Sequence, residues 1–266
     1  MGIEGFRYDG KRALVVGAAT GMGAATAQTV ASLGGEVIAL DVAPIAYGAK
    51  QSVVCNLAER ASVDAALVQV RGPLHAVFLC AGVADGNPHI MKINFSSQRY
   101  LLERLVERDA LPPGGAVALI SSVAGMGWQA NLPALKEFVA IADWDAAAAW
   151  IASHANTNTY TFSKQAMNFY TAQQAFPLLR RGIRINAIEP GPTDTPLARA
   201  NADIWLRFGR SYREEAGVET LTSQQMADVL AFLCSPAASG INGISLLVDH
   251  GLVNSGIAGS FTKPPM

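Results

Sequence analysis

The sequence predicts an α/β fold, a single domain built on a doubly wound parallel sheet with helices on both faces. Three observations carry that expectation. Apolar runs of strand length alternate with helical segments from about residue 12 to residue 249, the pattern of a parallel sheet covered by helices. Two of those runs end in glycine turns, Gly17–Gly23 and Cys80-Ala81-Gly82, and ligands of open α/β sheets sit beyond the carboxyl ends of strands. The chain has 266 residues, 50% of them hydrophobic and 15% charged, enough for one large core. No linker, repeat or low-complexity stretch divides it.

Taken in order, Arg12 to Val16 reads as a buried strand. The loop Gly17-Ala18-Ala19-Thr20-Gly21-Met22-Gly23 follows, then an Ala-rich helix from Ala24 to Leu33, stopped by Gly34-Gly35. Strand, glycine turn and helix together form the context of a Rossmann-type phosphate-binding loop. The glycines let the backbone approach a pyrophosphate, and the helix N-terminus offers unpaired N–H groups and partial positive charge. The spacing here is G-x-x-x-G-x-G. The next strand, Glu36 to Asp41, ends in an acid that can accept hydrogen bonds from an adenosine ribose 2′-hydroxyl. Asp41 would repel a 2′-phosphate, and no Lys or Arg nearby offsets it, so NAD is expected over NADP.

Val42 to Gln51 is too short for a full crossover helix. A short strand is expected at Ser52–Cys55, a turn at Asn56-Leu57, a helix over Glu59–Val70 and a strand over Leu74–Leu79. His89 to Arg108 has the pattern of an amphipathic helix with Asn94 near its start. Ala116 to Ile120 is a strand leading into Ser121-Ser122. An insert from Gly125 to Thr159 follows, holding Trp128, Trp144 and Trp150. Ala146 to Ala149 favours a helix that Asp143 or Asp145 would start. A helix from Tyr160 to about Arg181, a strand over Ile183–Ile188 and the run Glu189-Pro190-Gly191-Pro192-Thr193-Asp194-Thr195-Pro196 come next. Leu197 to Gly217 reads as aromatic and irregular, Ser223 to Cys234 as a helix, Gly243 to Asp249 as the last strand and Thr262 to Met266 as an irregular tail.

Composition narrows the function classes. A net charge of −1 gives no electrostatic footprint for nucleic acid. Cys55, Cys80 and Cys234 have neither metal nor disulfide spacing and read as free, buried thiols, so no metal is expected. The N-terminus lacks a secretory pattern and a myristoylation signal, and no apolar run is long enough for a membrane span. The expectation is a soluble, cytoplasmic protein with no membrane partner.

Chemistry concentrates at Tyr160-Thr161-Phe162-Ser163-Lys164. Positions four apart on a helix share a face, so the phenol and the ammonium can enter one cleft. A phenol ordinarily titrates near ~10. A fixed positive charge beside it is expected to lower that value and make it useful as an acid or base near neutral pH.

The glycine loop, Asp41, Cys80-Ala81-Gly82, Asn94, Ser122, Tyr160-x-x-x-Lys164 and Pro190-Gly191 stand in one order. That order resembles the short-chain dehydrogenase/reductase family over nearly the whole chain. The missing crossover helix, the Leu79-Cys80-Ala81-Gly82 turn and the long insert are most similar to its bacterial NAD-dependent 3α-hydroxysteroid dehydrogenase/carbonyl reductase branch. The resemblance implies that Tyr160 is the acid/base and that Lys164 lowers its pKa and bonds the nicotinamide ribose. It implies that Ser122 holds the reacting oxygen, with Ser121 as a rival, and that Asn94 holds a water in a proton relay. For the cofactor it implies Gly17, Thr20, Gly21, Met22, Gly23 and Asp41, then Asn56-Leu57 at the adenine, Cys80, Ala81 and Gly82. Pro190, Thr193 and Thr195, together with Tyr160 and Lys164, would serve the nicotinamide end. The sequence departs from the family at Val16, Leu79-Cys80 and Asn56.

The implied function is an NAD(H)-dependent oxidoreductase interconverting a secondary alcohol and a ketone. The substrate would be bulky and apolar, such as a steroid, received by a loop region at about 193–217. Leu197, Ile204, Trp205, Leu206 and Phe208 could line its pocket, as could Trp128 or Trp144, or these side chains could only pack a lid. The alternative is a non-catalytic protein sensing NAD(H) redox state. A homodimer or homotetramer is expected. The insert would help to form the cleft and shift the dimer from the usual helix pair to the last helix and last strand.

Overall fold

A computed structural model describes residues 3–262. Met1 and Gly2 lie outside the described residues, as does the tail from Lys263 onward that is expected to be irregular. The main sheet has seven parallel strands: β1 (Arg12–Val16), β2 (Glu36–Asp41), β3 (Gln51–Val54), β4 (Ala76–Leu79), β5 (Ala116–Ile120), β6 (Arg184–Pro190) and, last in the chain, β9 (Ser245–Val248). Their spatial order is β3-β2-β1-β4-β5-β6-β9. The order reverses between β1 and β4, and a crevice opens there at the strand ends. The central strands are buried on both faces because helices cover both, which is why they read as unbroken apolar runs.

One face is covered by α1 (Gly21–Ser32) and α10 (Ser223–Cys234), packed on each other over Val15, Val37 and Phe78. The other carries α2 (Arg60–Gln69), α3 (Ser97–Glu107) and α6 (Tyr160–Leu179) over Leu14, Val77 and Val117. The first helix begins at Gly21, inside the glycine motif, rather than at Ala24. The helix expected from His89 is a π-helical turn, Lys92–Ser96, that runs into α3. Such turns are frequent at functional sites, and this one holds the buried Asn94.

The insert forms two helices, α4 (Leu132–Ala140) and α5 (Trp144–Ser153). Asp143 is the N-cap of α5, its Oδ1 accepting from Asp145 N at 3.1 Å and Ala146 N at 2.8 Å, while Asp145 supplies the first-turn charge. The region read as irregular after Thr195 holds three short helices, α7 (Pro196–Arg199), α8 (Ala202–Trp205) and α9 (Arg210–Ala216). Two-residue strands β7 (Thr193–Asp194) and β8 (Leu221–Thr222) pair in parallel and close that excursion at its base. A final helix, α11 (Leu252–Ile257), had no counterpart in the sequence reading. Its start at Gly251 is tied to Asp249, whose carboxylate accepts from Gly251 N and Val253 N, both at 2.8 Å. Among the described residues no helix is long and apolar enough to cross a membrane.

Candidate active site

The crevice at the strand ends is a cleft of about 840 Å³. Its floor is the glycine loop. Gly17 has φ +80°, and a Cβ there would lie 2.5 Å from the Ala81 backbone; a Cβ on Gly23 would lie 2.0 Å from the Gly17 carbonyl oxygen. Both glycines are therefore required by close approach of backbone to backbone. Gly21 is required by its φ of +56°. Thr20 is the N-cap of α1 without a capping hydrogen bond from its side chain, and the first turn is Gly21-Met22-Gly23, so its N–H groups face a cradle free of bulk. At the end of β2, Asp41 accepts from Ala19 N and Ala43 N, both at 2.9 Å, which fixes the carboxylate against the loop. A dinucleotide fits this surface: the glycine cradle suits a pyrophosphate and the anchored acid suits ribose hydroxyls.

All the residues expected at the cofactor line the cleft, including Asn56, Leu57, Cys80, Ala81, Gly82, Pro190, Thr193 and Thr195. Several have local duties as well. Asn56 Oδ1 accepts from Ala58 N at 3.0 Å, Thr193 Oγ1 donates to Gly191 O at 2.9 Å, and Thr195 Oγ1 caps α7 through Ala198 N at 3.0 Å. Cys55 and Cys234 are buried; Cys80 is only half-buried and lines the cleft. Burial pushes the Cys80 thiol up to about 12, so it stays protonated.

Tyr160 and Lys164 meet in the cleft, with Nζ 5.3 Å from the centre of the phenol ring. Lys164 is buried and donates to Ile120 O at 2.7 Å. The expectation that Lys164 lowers the phenol does not hold in this state. Burial pushes Tyr160 up to about 12, a hydrogen bond with Ser122 offsets part of that, and the charge of Asp85 adds to it. Burial likewise pushes Lys164 down to about 7. Each group loses solvation when charged alone, so phenolate and ammonium are favourable only together.

The two serines separate cleanly. Ser121 is buried and donates to Lys164 O at 3.0 Å, fastening α6 to the end of β5. Ser122 faces the phenol, and its Oγ accepts from Ala124 N at 3.2 Å. Asn94 does not line the cleft. Its Oδ1 accepts from Val83 N at 2.8 Å, and its Nδ2 donates to Val83 O at 3.0 Å and to Ser163 Oγ at 3.1 Å. Its side chain is thereby committed to holding the loop after β4. A Cβ on Gly82 would lie 3.8 Å from Asn94 Oδ1 and 3.9 Å from Lys164 Nζ, so the bare glycine leaves space between them.

Leu197, Ile204, Trp205 and Phe208 line the outer cleft; Leu206 does not. Trp205 covers the first turn of α6, its ring 4.8 Å from that of Tyr160. Trp128 and Trp144 are absent from the cleft, against expectation. Trp128 packs on Phe169 of α6 at 5.8 Å and Trp144 on Tyr100 of α3 at 5.6 Å. The insert gives the cleft Met126 alone of its long apolar residues. Sequence reasoning missed Val83, Asp85, Ile93 and Val253, which also line it. Only Asp85 and Val83 carried a signal, as neighbours of the second glycine turn.

Comparison with known proteins agrees with this geometry. The family model described as enoyl-(acyl carrier protein) reductase matches residues 17–253. A coniferyl-alcohol dehydrogenase of a Pseudomonas sp. is 29% identical over 92% of this chain and 97% of its own length. The 3-alpha-hydroxysteroid dehydrogenase/carbonyl reductase of Comamonas testosteroni is 28% identical over 90% of this chain and 95% of its own. Among solved structures, the 3-alpha-hydroxysteroid dehydrogenase of another Pseudomonas sp., complexed with NADH, superposes with a TM-score of 0.76 at 24% identity, covering 95% of this chain and all of that one.

Proposed function

The chain belongs to the short-chain dehydrogenase/reductase family and is an oxidoreductase, and from that premise we propose that it interconverts a secondary alcohol and a ketone with NAD(H). The observation that carries the proposal is the Tyr160 phenol in the same cleft as Ser122, with its ring centre 5.3 Å from the ammonium of buried Lys164. NADH, when bound, supplies the hydride. The chain's own part begins at the glycine loop and Asp41, which bind and orient the dinucleotide. In the reducing direction Tyr160 Oη gives its proton to the carbonyl oxygen, and Ser122 Oγ donates a hydrogen bond to that oxygen as charge develops. The phenolate left behind is stabilised by Lys164, and in turn removes the desolvation penalty on the ammonium. The space beside Gly82, between Asn94 and Lys164, suits a water that resupplies the proton.

The substrate is bulky and apolar, such as a steroid. Val83, Ile93 and Met126 on one side and Leu197, Ile204, Trp205 and Phe208 on the other offer it an apolar wall, and the name of the C. testosteroni relative points the same way. NADH oxidation measured against steroid ketones and simple cyclic ketones tests this. Turnover is expected with NADH far above NADPH, and Asp41→Ala is expected to narrow that preference. Equal use of both cofactors by the unmutated chain would remove the role of Asp41.

The working unit is a homodimer. The insert packs on α3 and on the first half of α6, which leaves the edge strand β9 and, in place of the last helix, the C-terminal end of α6 as the pairing surface. Phe176 and Leu179 are exposed at the C-terminal end of α6, and Ile244 is exposed just before β9. Light scattering on Phe176→Ser with Leu179→Ser is expected to show a monomer; an unchanged mass would rule that surface out.

A further inference from the structure

We propose that Asp85 is a positioning residue for Tyr160, closing a ring of hydrogen bonds around that residue's backbone; the inference rests on Tyr160 being the acid of the proposed reaction. Tyr160 is the first residue of α6, and its N–H is one of the donors a helix start leaves without a partner inside the helix. Thr159, the N-cap, accepts from Phe162 N at 3.1 Å, so it does not serve that donor. Asp85, from the loop after β4, does: its Oδ1 accepts from Tyr160 N at 2.7 Å across a separation of 75 residues. A carboxylate at this end of a helix is also favoured by the aligned peptide dipoles.

The carbonyl of Tyr160 is held within α6 and tied through Asn94 to the same loop. Ser163 Oγ donates to Tyr160 O at 2.6 Å, and Asn94 Nδ2 donates to Ser163 Oγ at 3.1 Å. Asn94 then grips both polar groups of the Val83 backbone, two residues before Asp85. The ring therefore runs from Tyr160 N through Asp85 to Val83, across Asn94 and Ser163, and back to Tyr160 O. Asn94 and Ser163 form its buried side and Asp85 its exposed side. Loss of Asp85 opens the ring at its exposed link and lets the first turn of α6 shift the phenol relative to Ser122.

Asp85 also lines the cleft, and its charge opposes formation of the phenolate. The ionisable groups facing the phenol are Asp85 from this loop and Lys164 from α6; β5 presents neutral Ser122 and the outer helices present Trp205. Position and charge can be separated, because an amide oxygen can still accept from Tyr160 N while carrying no charge.

The experiment compares Asp85→Ala, Asp85→Asn and Tyr160→Phe by steady-state kinetics across pH, with NADH binding followed by fluorescence. Asp85→Ala is expected to lower kcat by ~10-fold with little change in NADH affinity. Asp85→Asn is expected to recover most of that kcat while the limb assigned to Tyr160 moves to lower pH by on the order of half a unit. Wild-type kinetics in both Asp85 variants would overturn the inference, and so would equal impairment in both with an unmoved limb. If Asp85→Ala does not fold, the pH profile of Asp85→Asn decides alone. Tyr160→Phe tests the reading beneath: full activity there would sink the acid assignment itself, whatever Asp85 does.

Discussion

The insert and the segment after Thr195 look alike as sequence and end in opposite places. Both are aromatic, both interrupt the alternation of strands and helices, and both flank α6. The insert folds into helices long enough to own a buried stripe, with Leu135, Phe138 and Val139 on α4 and Trp144, Trp150 and Ile151 on α5. Phe138 and Trp150 lie 5.2 Å apart and both reach Phe162 on α6. The later segment makes helices of four to seven residues. None can bury a full face, and Ile204 stays 74% exposed at the rim of the cleft. Aromatic content therefore does not separate core from pocket wall; the length of helix available to organise it does.

Four substitutions probe that contrast. The largest effect is expected where the two regions meet, on α6. Tyr160→Phe keeps the ring that Trp205 covers and should leave both regions packed, yet lower turnover by ~10²–10⁴-fold with NADH binding retained. Wild-type turnover on a verified substrate would remove the central assignment. Next, Trp150→Ala in the insert should cost about 3–5 kcal/mol of stability, read by denaturant unfolding. It loses stacking on Phe138, Phe162 and His154 and the bond from its Nε1 to Glu137. A loss below about 1 kcal/mol would show the insert to be a loosely attached cover.

Trp205→Ala should behave in the opposite way. Unfolding should change little, while KM for a bulky ketone should rise by roughly 5–10-fold, the worth of one aromatic contact. A large stability loss would make the later segment core after all. The smallest effect concerns the joint between insert and sheet. Buried Glu189 binds Asn168, which also donates to Gly125 O at 3.0 Å. Burial pushes Glu189 up to about 7, and the charge of Asp249 adds to this. Its folded value thus lies above its unfolded one, so the native state holds the extra proton between about pH 4.5 and 7. Stability should fall as pH rises through that window and be level above it. Glu189→Gln should flatten the slope; an unchanged slope would assign it elsewhere.

The sheet was legible because its strands are buried on both faces and carry their hydrophobicity openly. The glycine loop was legible because Gly17 and Gly23 are dictated by backbone contact rather than by side chains. Tyr160, Lys164 and Ser122 were legible as a pattern. Other features depend on tertiary contact. The π-helical turn at Asn94 looks like ordinary helix in sequence, since nothing local distinguishes it. Ser121 and Ser122 differ only in the direction the chain leaves β5. The direction of the phenol's shift turned on desolvation, which spacing on a helix does not report. Asp85 sits 75 residues from the atom it holds.

The insert leaves and returns to a single helix. At its start the Gly125 carbonyl is held by Asn168, and a Cβ on Gly125 would lie 2.7 Å from Asn168 Nδ2 and 2.9 Å from the Lys164 backbone. At its end Thr159 caps the same helix. Eight residues of helix separate those moorings, about 12 Å of rise. The excursion is a closed circuit whose two terminals are fixed to one helix, so its length is set by what it packs on rather than by the span between its ends. Closure entropy grows only slowly with loop length. The two ends would therefore tolerate a change of length between them, provided that the aromatic packing of Phe138 and Trp150 on Phe162 is kept.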